Sequence, residues 1–385
     1  MKLAFTLAYK NLIGAGLRTW LNVGILAFAF ILIIFYNGLL DGWNQQARLD
    51  TINWEIGYGE LRTENYDPLD PFSIQDAHRV YKAEKFPQLT PILIRQATIY
   101  PHGRMLSIAL KGIPSDQTQL RLPTSYLSTE MDVIPAIIGK RMADGAKLKE
   151  GEEVLLRWRD KNGTFDARSI TIVKIFDSDV GSIDSGQIWI SLEQLQSLTG
   201  LKEEATYFVA NEEYSHQRLN NWTFVNQEEL LQNINEIIAS KKISGSIMYL
   251  MLLAIALLAI FDTQVLSVFR RQKEIGTYVA MGMTPSQVVV LFTMEGSMYS
   301  FLAMLVGGLV GLPIFTYLAM KGISFPDVTQ DMGVTMASRI FPVFGIQLIL
   351  GTMVLVIVSA TIVSFLPAKK IAYMNPVEAL KGKLQ

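Results

Sequence analysis

The chain is 385 residues long, 50% hydrophobic and only 18% charged, with a mean hydropathy of +0.27, a balance that marks a membrane protein. A formal net charge of −1 gives no whole-molecule signal for nucleic acid, so charge informs only through where it sits. The absence of cysteine excludes disulfides, thiolate metal sites and cysteine nucleophiles.

Residues 1–18 read as an interfacial helix, with Leu3, Phe5, Leu7, Leu12, Ile13 and Leu17 as its apolar body and Lys2, Lys10 and Arg18 reaching lipid headgroups. The alternative is a plain cytoplasmic extension of the first span. Four stretches are apolar enough to cross a bilayer, which takes about 20 residues: 19–40, 243–269, 285–320 and 340–368. Basic residues flank them unevenly. Lys2, Lys10 and Arg18 precede the first; Arg270, Arg271 and Lys273 follow the second; Lys369, Lys370, Lys381 and Lys383 follow the fourth. The excess of Lys and Arg on one side places both termini, the stretch 270–284 and the tail 369–385 in the cytoplasm. Residues 41–242 and the short loop 321–339 then lie outside. The expected fold class is a membrane α-helical protein with four transmembrane helices and an extracytoplasmic α+β domain inserted between the first and second.

Within 41–242, Ser73 and Asp76 predict a helix to about Phe86. Strands are expected at 97–100, 106–110, 154–158, 170–176 and 187–190, where β-branched and aromatic residues concentrate. Asp160-Lys161-Asn162-Gly163 is a turn signal. Ser191 and Gln194 form a capping-box pattern opening a helix that ends near Gly200. A last helix from about Gln227 runs through Ile238 toward the second span.

Residues 270–284 combine a short amphipathic pattern with two punctuation signals. Ile275, Tyr278 and Val279 share one helical stripe, Arg271 and Glu274 lie on other faces, and Gly282 suits a left-handed stop. Thr284-Pro285-Ser286-Gln287 then reads as N-cap, first-turn proline and capping-box glutamine. A short amphipathic helix at this place needs something to dock on. In the third span, Gly307 and Gly311 have the spacing that lets helix backbones approach closely. Asp262 and Glu295 are acidic groups near the cytoplasmic membrane edge, where Arg270 and Arg271 are in reach to neutralise them. His78, His102 and His216 are scattered without ligand spacing, and Asp177, Asp179 and Asp184 read as a solvated loop rather than a cation site.

The stretch "RRQKEIGTYVAMGMTPSQVVVLFTMEG" resembles the corresponding segment of FtsX/MacB-like ABC transporter permeases through Arg270, Arg271, Glu274, Ile275, Gly276, Ala280, Gly282, Glu295 and Gly296. The terminal "LPAKKIAYMNPVEALKG" is similar to the family's closing pattern through Pro367, Ala368, Asn375, Pro376, Glu378, Ala379 and Leu380. In the outer domain, "IALKGIPSD", "AIIGKRMADGAKLKEGEEVLL" and "GQIWISLEQLQSLTG" resemble the family's periplasmic core domain.

The resemblance implies a permease of the bacterial inner membrane that is not itself an enzyme and binds no cofactor of its own. ATP and Mg act on a partner ATPase dimer, in keeping with a sequence that holds no G-x-x-x-x-G-K-[S/T] loop. It also implies a second permease chain, identical or different. The helix from Arg271 to Met281 becomes the coupling helix, with Ile275, Tyr278 and Val279 giving apolar contact to the ATPase and Arg270, Arg271 and Glu274 setting register. The leading functional expectation is release of lipoproteins or lipid-linked substrates, with a periplasmic lipoprotein carrier as a further partner. The alternatives are MacB-like mechanotransmission in an export system and FtsX-like control of a cell-wall hydrolase. The interval 159–168, where carrier-docking relatives hold a hook, contains only a short hairpin.

Overall fold

The computed structural model describes residues 17–81, 87–128, 133–214, 219, 221–324 and 339–372. The interfacial stretch 1–16, His216 and the closing pattern from Asn375 onward lie outside the described residues. In chain order these form α1 (Leu17–Thr51), β1 (Gly59–Thr63), β2 (Arg79–Val80), β3 (Leu89–Ile99), β4 (Leu106–Ile113) and β5 (Ile134–Gly139). There follow α2 (Lys140–Ala146), β6 (Glu153–Arg159), β7 (Phe165–Phe176), α3 (Gly181–Asp184), β8 (Gln187–Ser191) and α4 (Leu192–Thr199). The series continues with β9 (Glu204–Ala205), β10 (Tyr207–Ala210), β11 (Trp222–Asn226), α5 (Gln227–Leu230), α6 (Gln232–Arg270), α7 (Gln272–Ala280), α8 (Pro285–Lys321) and α9 (Ile346–Ala372). They divide into a helical unit, 1–42, 238–323 and 340–385, and a sheet unit, 43–237 and 324–339.

In the helical unit, α1, α6, α8 and α9 are long and apolar enough to cross a membrane, and they are four in number among the described residues. Each sends one stripe into a common core: Val23, Leu26 and Phe30 from α1, Leu253, Ala256 and Ile260 from α6, Tyr299 and Ala303 from α8, Val356 and Ala360 from α9. Their opposite faces leave large side chains uncovered, such as Ile247, Leu309 and Val358. Apolar inside and out is the pattern of helices whose solvent is lipid. Close approach is set by small residues: a Cβ on Gly245 would sit 1.9 Å from the Tyr36 ring, and one on Gly38 would meet Phe344 at 2.5 Å.

The sheet unit is built on a nine-stranded sheet with order β11-β1-β10-β3-β4-β8-β5-β7-β6. A further pairing of β3 with β6, Ala97 opposite Trp158, closes the six strands from β3 to β6 into a barrel. The barrel strands alternate: β6 reads exposed-buried throughout, with Val154, Leu156 and Trp158 pointing in. Ile170, Ile172, Ile188 and Ile190 fill the interior, and Leu192 and Leu195 of α4 pack on it. Trp158, buried, donates its indole N–H to the Leu198 carbonyl at 3.0 Å. A second core lies on β10 and its neighbours, with Ile92, Ile94, Trp189, Tyr207 and Val209. Within it the buried Lys111 ammonium stands 4.9 Å over the Trp189 ring, and burial lowers its pKa.

All five expected strands are present and extend further than the sequence suggests. The turn at 160–163 forms, with Gly163 at φ +85° and the Asp160 carboxylate accepting from the Asn162 and Thr164 amides. Ser191 caps α4, which ends at Gly200 with φ +73°, but only half the capping box exists: Gln194 Oε1 has no partner among the described residues. The last helix starts at Gln227 and breaks at Leu231 before α6.

Two expectations are corrected. Ser73 opens no helix over the described residues 73–81, and 82–86 of the expected helix lie outside the described residues. Pro71–Gln75 is a 3-10 turn, because Asp70 caps Phe72 and the Ser73 hydroxyl bonds the Asp67 and Asp70 carbonyls, and the chain then turns into β2. Asp184 does not belong to a solvated loop. It is 1% exposed, ion-paired to Arg141 at 3.2 Å, and fitted against Gly139, where a Cβ would fall 2.5 Å from its atoms. Burial pushes its carboxyl up to about 6 against the pull of the Arg141 amide and guanidinium.

Candidate functional site

The candidate site is the elbow between α6 and α8. Arg271 leaves helical geometry at φ −101°, ψ 16° and separates α6 from the nine-residue α7. Two bonds close the other end: Gly282 N–H donates to Val279 and Met283 N–H to Tyr278, both at 3.0 Å. With Gly282 at φ +99° this is a Schellman stop, which a side chain at that position would strain. Two residues later the Thr284 hydroxyl accepts from the Gln287 backbone amide at 3.4 Å and the Gln287 side-chain Oε1 accepts from the Thr284 backbone amide at 2.9 Å. Pro285 fills the first turn of α8. Stop and start are thus satisfied by groups close in sequence, the stop by backbone and the start by the Thr284 and Gln287 side chains.

The inner face of α7 is fixed by packing. Ile275, 4% exposed, sits among Val268 of α6, Val288, Val289 and Phe292 of α8, and Ala368 of α9, with Val279 and Met283 against the same cluster. Gly276 is buried and Tyr278 half-buried. Of the expected apolar stripe, Ile275 is buried and Val279 half-buried against α7's own helical unit. The outward row is Lys273, Glu274, Thr277, Ala280, Met281 and Gly282, with Met281 70% exposed.

Arg271 is the electrostatic centre of the elbow. Its Nε donates to Glu274 at 2.8 Å, its Nη1 to Glu295 at 2.9 Å, and its guanidinium lies 5.0 Å from the centre of the Phe292 ring. Burial alone would lower its pKa, but the two carboxylates outweigh it and keep the guanidinium charged. Glu295 therefore finds a cation where it was expected to. Asp262 does not: it is exposed on α6, as is Arg270, and it makes no ion pair among the described residues. Arg270 lies two helical turns further along α6, which places the two side chains out of reach.

Gly307 of α8 faces α1, where a Cβ would meet Phe30 at 2.8 Å, while Gly311 lies against Ile31 and Phe315. Gly307 and Gly308 line an apolar cavity of about 530 Å³ with Phe30, Phe315, Phe344 and Met353. Sequence reasoning missed a buried polar layer between the elbow and that cavity. Asn22 of α1 donates to Thr263 of α6 at 2.6 Å; Gly296 of α8 meets Ser364 of α9; and Gln264, 1% exposed, leaves both ends of its amide unpaired among the described residues. The available signal was polar residues, Thr19, Asn22, Thr263 and Gln264, interrupting otherwise apolar runs.

With this geometry in place, the comparisons with known proteins are direct. Residues 246–376, which contain most of α6 and all of α7, α8 and α9, match the family described as FtsX-like permease C-terminal. Over that stretch the chain is similar to the FtsX/MacB-like ABC transporter permeases. It is 26% identical over 208 residues to the uncharacterized ABC transporter permease YknZ of Bacillus subtilis, covering 53% of this chain and 47% of that one. It is 24% identical over 355 residues to the macrolide export ATP-binding/permease protein MacB of Neisseria gonorrhoeae, covering 84% of this chain and 51% of that one. The chain thus spans about half the length of these curated relatives. Among solved structures, the extracellular domain of the YknZ transporter from Gram-positive bacteria aligns with 44% of this chain and 99% of its own, at 14% identity and a TM-score of 0.29.

Proposed function

We propose that this chain is the membrane subunit of an ABC transporter in which a separate ATPase docks on the outward row of α7. ATP-driven movement of that ATPase is relayed through the helices to the sheet unit, which works on the far side of a bacterial inner membrane. The observation that carries the proposal is the two-faced character of α7. Its inner face is locked onto α6, α8 and α9 through Ile275, while Lys273, Thr277 and Met281 stay uncovered. A short helix so held is a handle: force applied to it reaches three helices at once. The basic flank at 270–273 supports its cytoplasmic placement.

For the work done outside, MacB-like mechanotransmission in an export system is the preferred reading, since the similarity that spans most of the chain is to MacB proteins. Lipoprotein release is the second reading. The β6–β7 connection, only Asp160 to Thr164, speaks against a carrier-docking hook. The test is copurification of the ATPase with outward variants Lys273→Glu, Thr277→Asp and Met281→Asp combined, beside the inward variant Ile275→Ala. The outward triple is expected to lose the ATPase while amide exchange of α7 stays as in the wild type. Retention of the ATPase by a properly folded triple variant overturns the docking assignment, and acylated protein copurifying with the wild type would shift the cargo to the second reading.

A further inference from the structure

A cavity of about 230 Å³ opens on the outer face of the barrel, where β4, β3, β6 and β7 run side by side. Its floor is polar: Gln96 and Thr98 of β3 and Ser107 of β4, the last two directly paired across the strands. Its wall is cationic. Arg157 and Arg159 alternate outward from β6, and both guanidiniums bracket the Phe165 ring opposite, at 4.1 and 5.8 Å. At the inner end lies Arg95, 6% exposed, whose Nη1 donates to the Ile74 and Gln75 carbonyls.

Three guanidiniums therefore border one cavity, and none of them has a carboxylate partner among the described residues. No acidic side chain lines it. Three acids reach Arg95 with their charge: Asp76, the strongest, is exposed and makes no ion pair with it, Glu204 bonds His78, and Asp160 accepts from its own turn. Each guanidinium has five N–H donors. Arg159 spends one on the Gly163 carbonyl and Arg157 makes a long contact to the Tyr100 hydroxyl at 3.5 Å, so most of their donors are uncommitted.

We propose that this cavity is a binding site for a small oxyanion, a phosphate or carboxylate carried on a larger molecule. Planar forks match both groups bidentately. The hydroxyl and amide floor of Gln96, Thr98 and Ser107 accommodates the atoms next to the charge, and Phe165 holds the two arginines in place. The space is more than a bare ion requires. A lipid headgroup phosphate and a peptide C-terminal carboxylate present the same chemistry. The site is independent of the ATPase-docking reading, since every residue in it belongs to the sheet unit.

The test is titration calorimetry of the full chain in detergent at low salt with inorganic phosphate, glycerol 3-phosphate and N-acetylglycine, each up to about 10 mM, since solvent-facing arginines bind in the millimolar range or below. One saturable site per chain is expected. The double variant Arg157→Gln/Arg159→Gln is expected to weaken it at least about tenfold. Arg168→Gln, an exposed arginine on β7 outside the cavity, is expected to leave it unchanged. Tightest binding of glycerol 3-phosphate assigns a headgroup, and tightest binding of N-acetylglycine a peptide terminus. No saturable heat with any probe, or equal weakening by the double variant and by Arg168→Gln, overturns the proposal.

Discussion

Removing the Arg271 side chain leaves Glu295 buried, its side chain only 7% exposed, beneath a helix that no longer covers it with a cation. Stranding one member of a buried pair costs about 3–5 kcal/mol. Arg271 keeps 18% of its side chain in contact with solvent, so the lower end, about 3 kcal/mol, is expected for Arg271→Ala. Its packing over Phe292 is lost as well and contributes about 0.5–1 kcal/mol of that total. Glu295→Gln is the milder change. Arg271 retains Glu274 at 2.8 Å and a neutral carbonyl in place of Glu295, so about 1–2 kcal/mol is expected. Replacing both residues by Met removes both charges together and is expected to cost less than Arg271→Ala alone. The assay is hydrogen–deuterium exchange of the 268–292 segment in detergent, whose protection reads local opening free energy. If Glu295→Gln opens the elbow as much as Arg271→Ala, or if the double Met variant is the least protected, the ion pair is not what holds the elbow.

Three further outcomes follow from other parts of the fold. Gly296→Ala places a Cβ 2.1 Å from the Ser364 hydroxyl, forcing α8 and α9 apart, and is expected to lower the thermal midpoint by several degrees; pairing it with Ser364→Gly should restore most of the loss. Gln264→Leu removes an amide with no partner among the described residues and is expected to raise stability by about 1–2 kcal/mol in mixed micelles. Asp184, ordinarily near 3.8 and raised to about 6, binds its proton more tightly folded than unfolded. Its contribution is therefore intact below about pH 4 and is lost as pH rises to about 6, a fall of about 3 kcal/mol by pH 7 that Asp184→Asn should flatten in urea titrations read by tryptophan fluorescence.

The helices were legible because lipid demands long apolar runs, and the elbow because its stop and start are spelled by neighbours in sequence: Gly282 for the Schellman turn, Thr284 and Gln287 for the cap. What the sequence left open was direction. The stripe of Ile275, Tyr278 and Val279 is plain in the pattern, but whether it faces a partner or its own unit depends on Val288, Phe292 and the distant Ala368. Long-range burial hid Asp184 in the same way, since its surroundings come from Gly139 and Arg141, more than 40 residues earlier. β5 and β10 went unread because "IPAIIG" and "YFVA" are buried on nearly every residue and lack the alternation that marks a strand with one wet face. Local side-chain bonds at Asp67, Asp70 and Ser73 defeated the helix expected there.

The elbow's two caps draw on backbone groups, on one glycine, and on Thr284 and Gln287, and its anchoring draws on the inward row. None of that constrains Lys273, Thr277, Ala280 or Met281. Those positions are free to drift in a lineage without cost to the fold, and on the docking proposed above, rewriting that handful of exposed residues would change the engine such a chain answers to. Exchange of that row between two such chains is the smallest graft that would carry partner choice from one system to another.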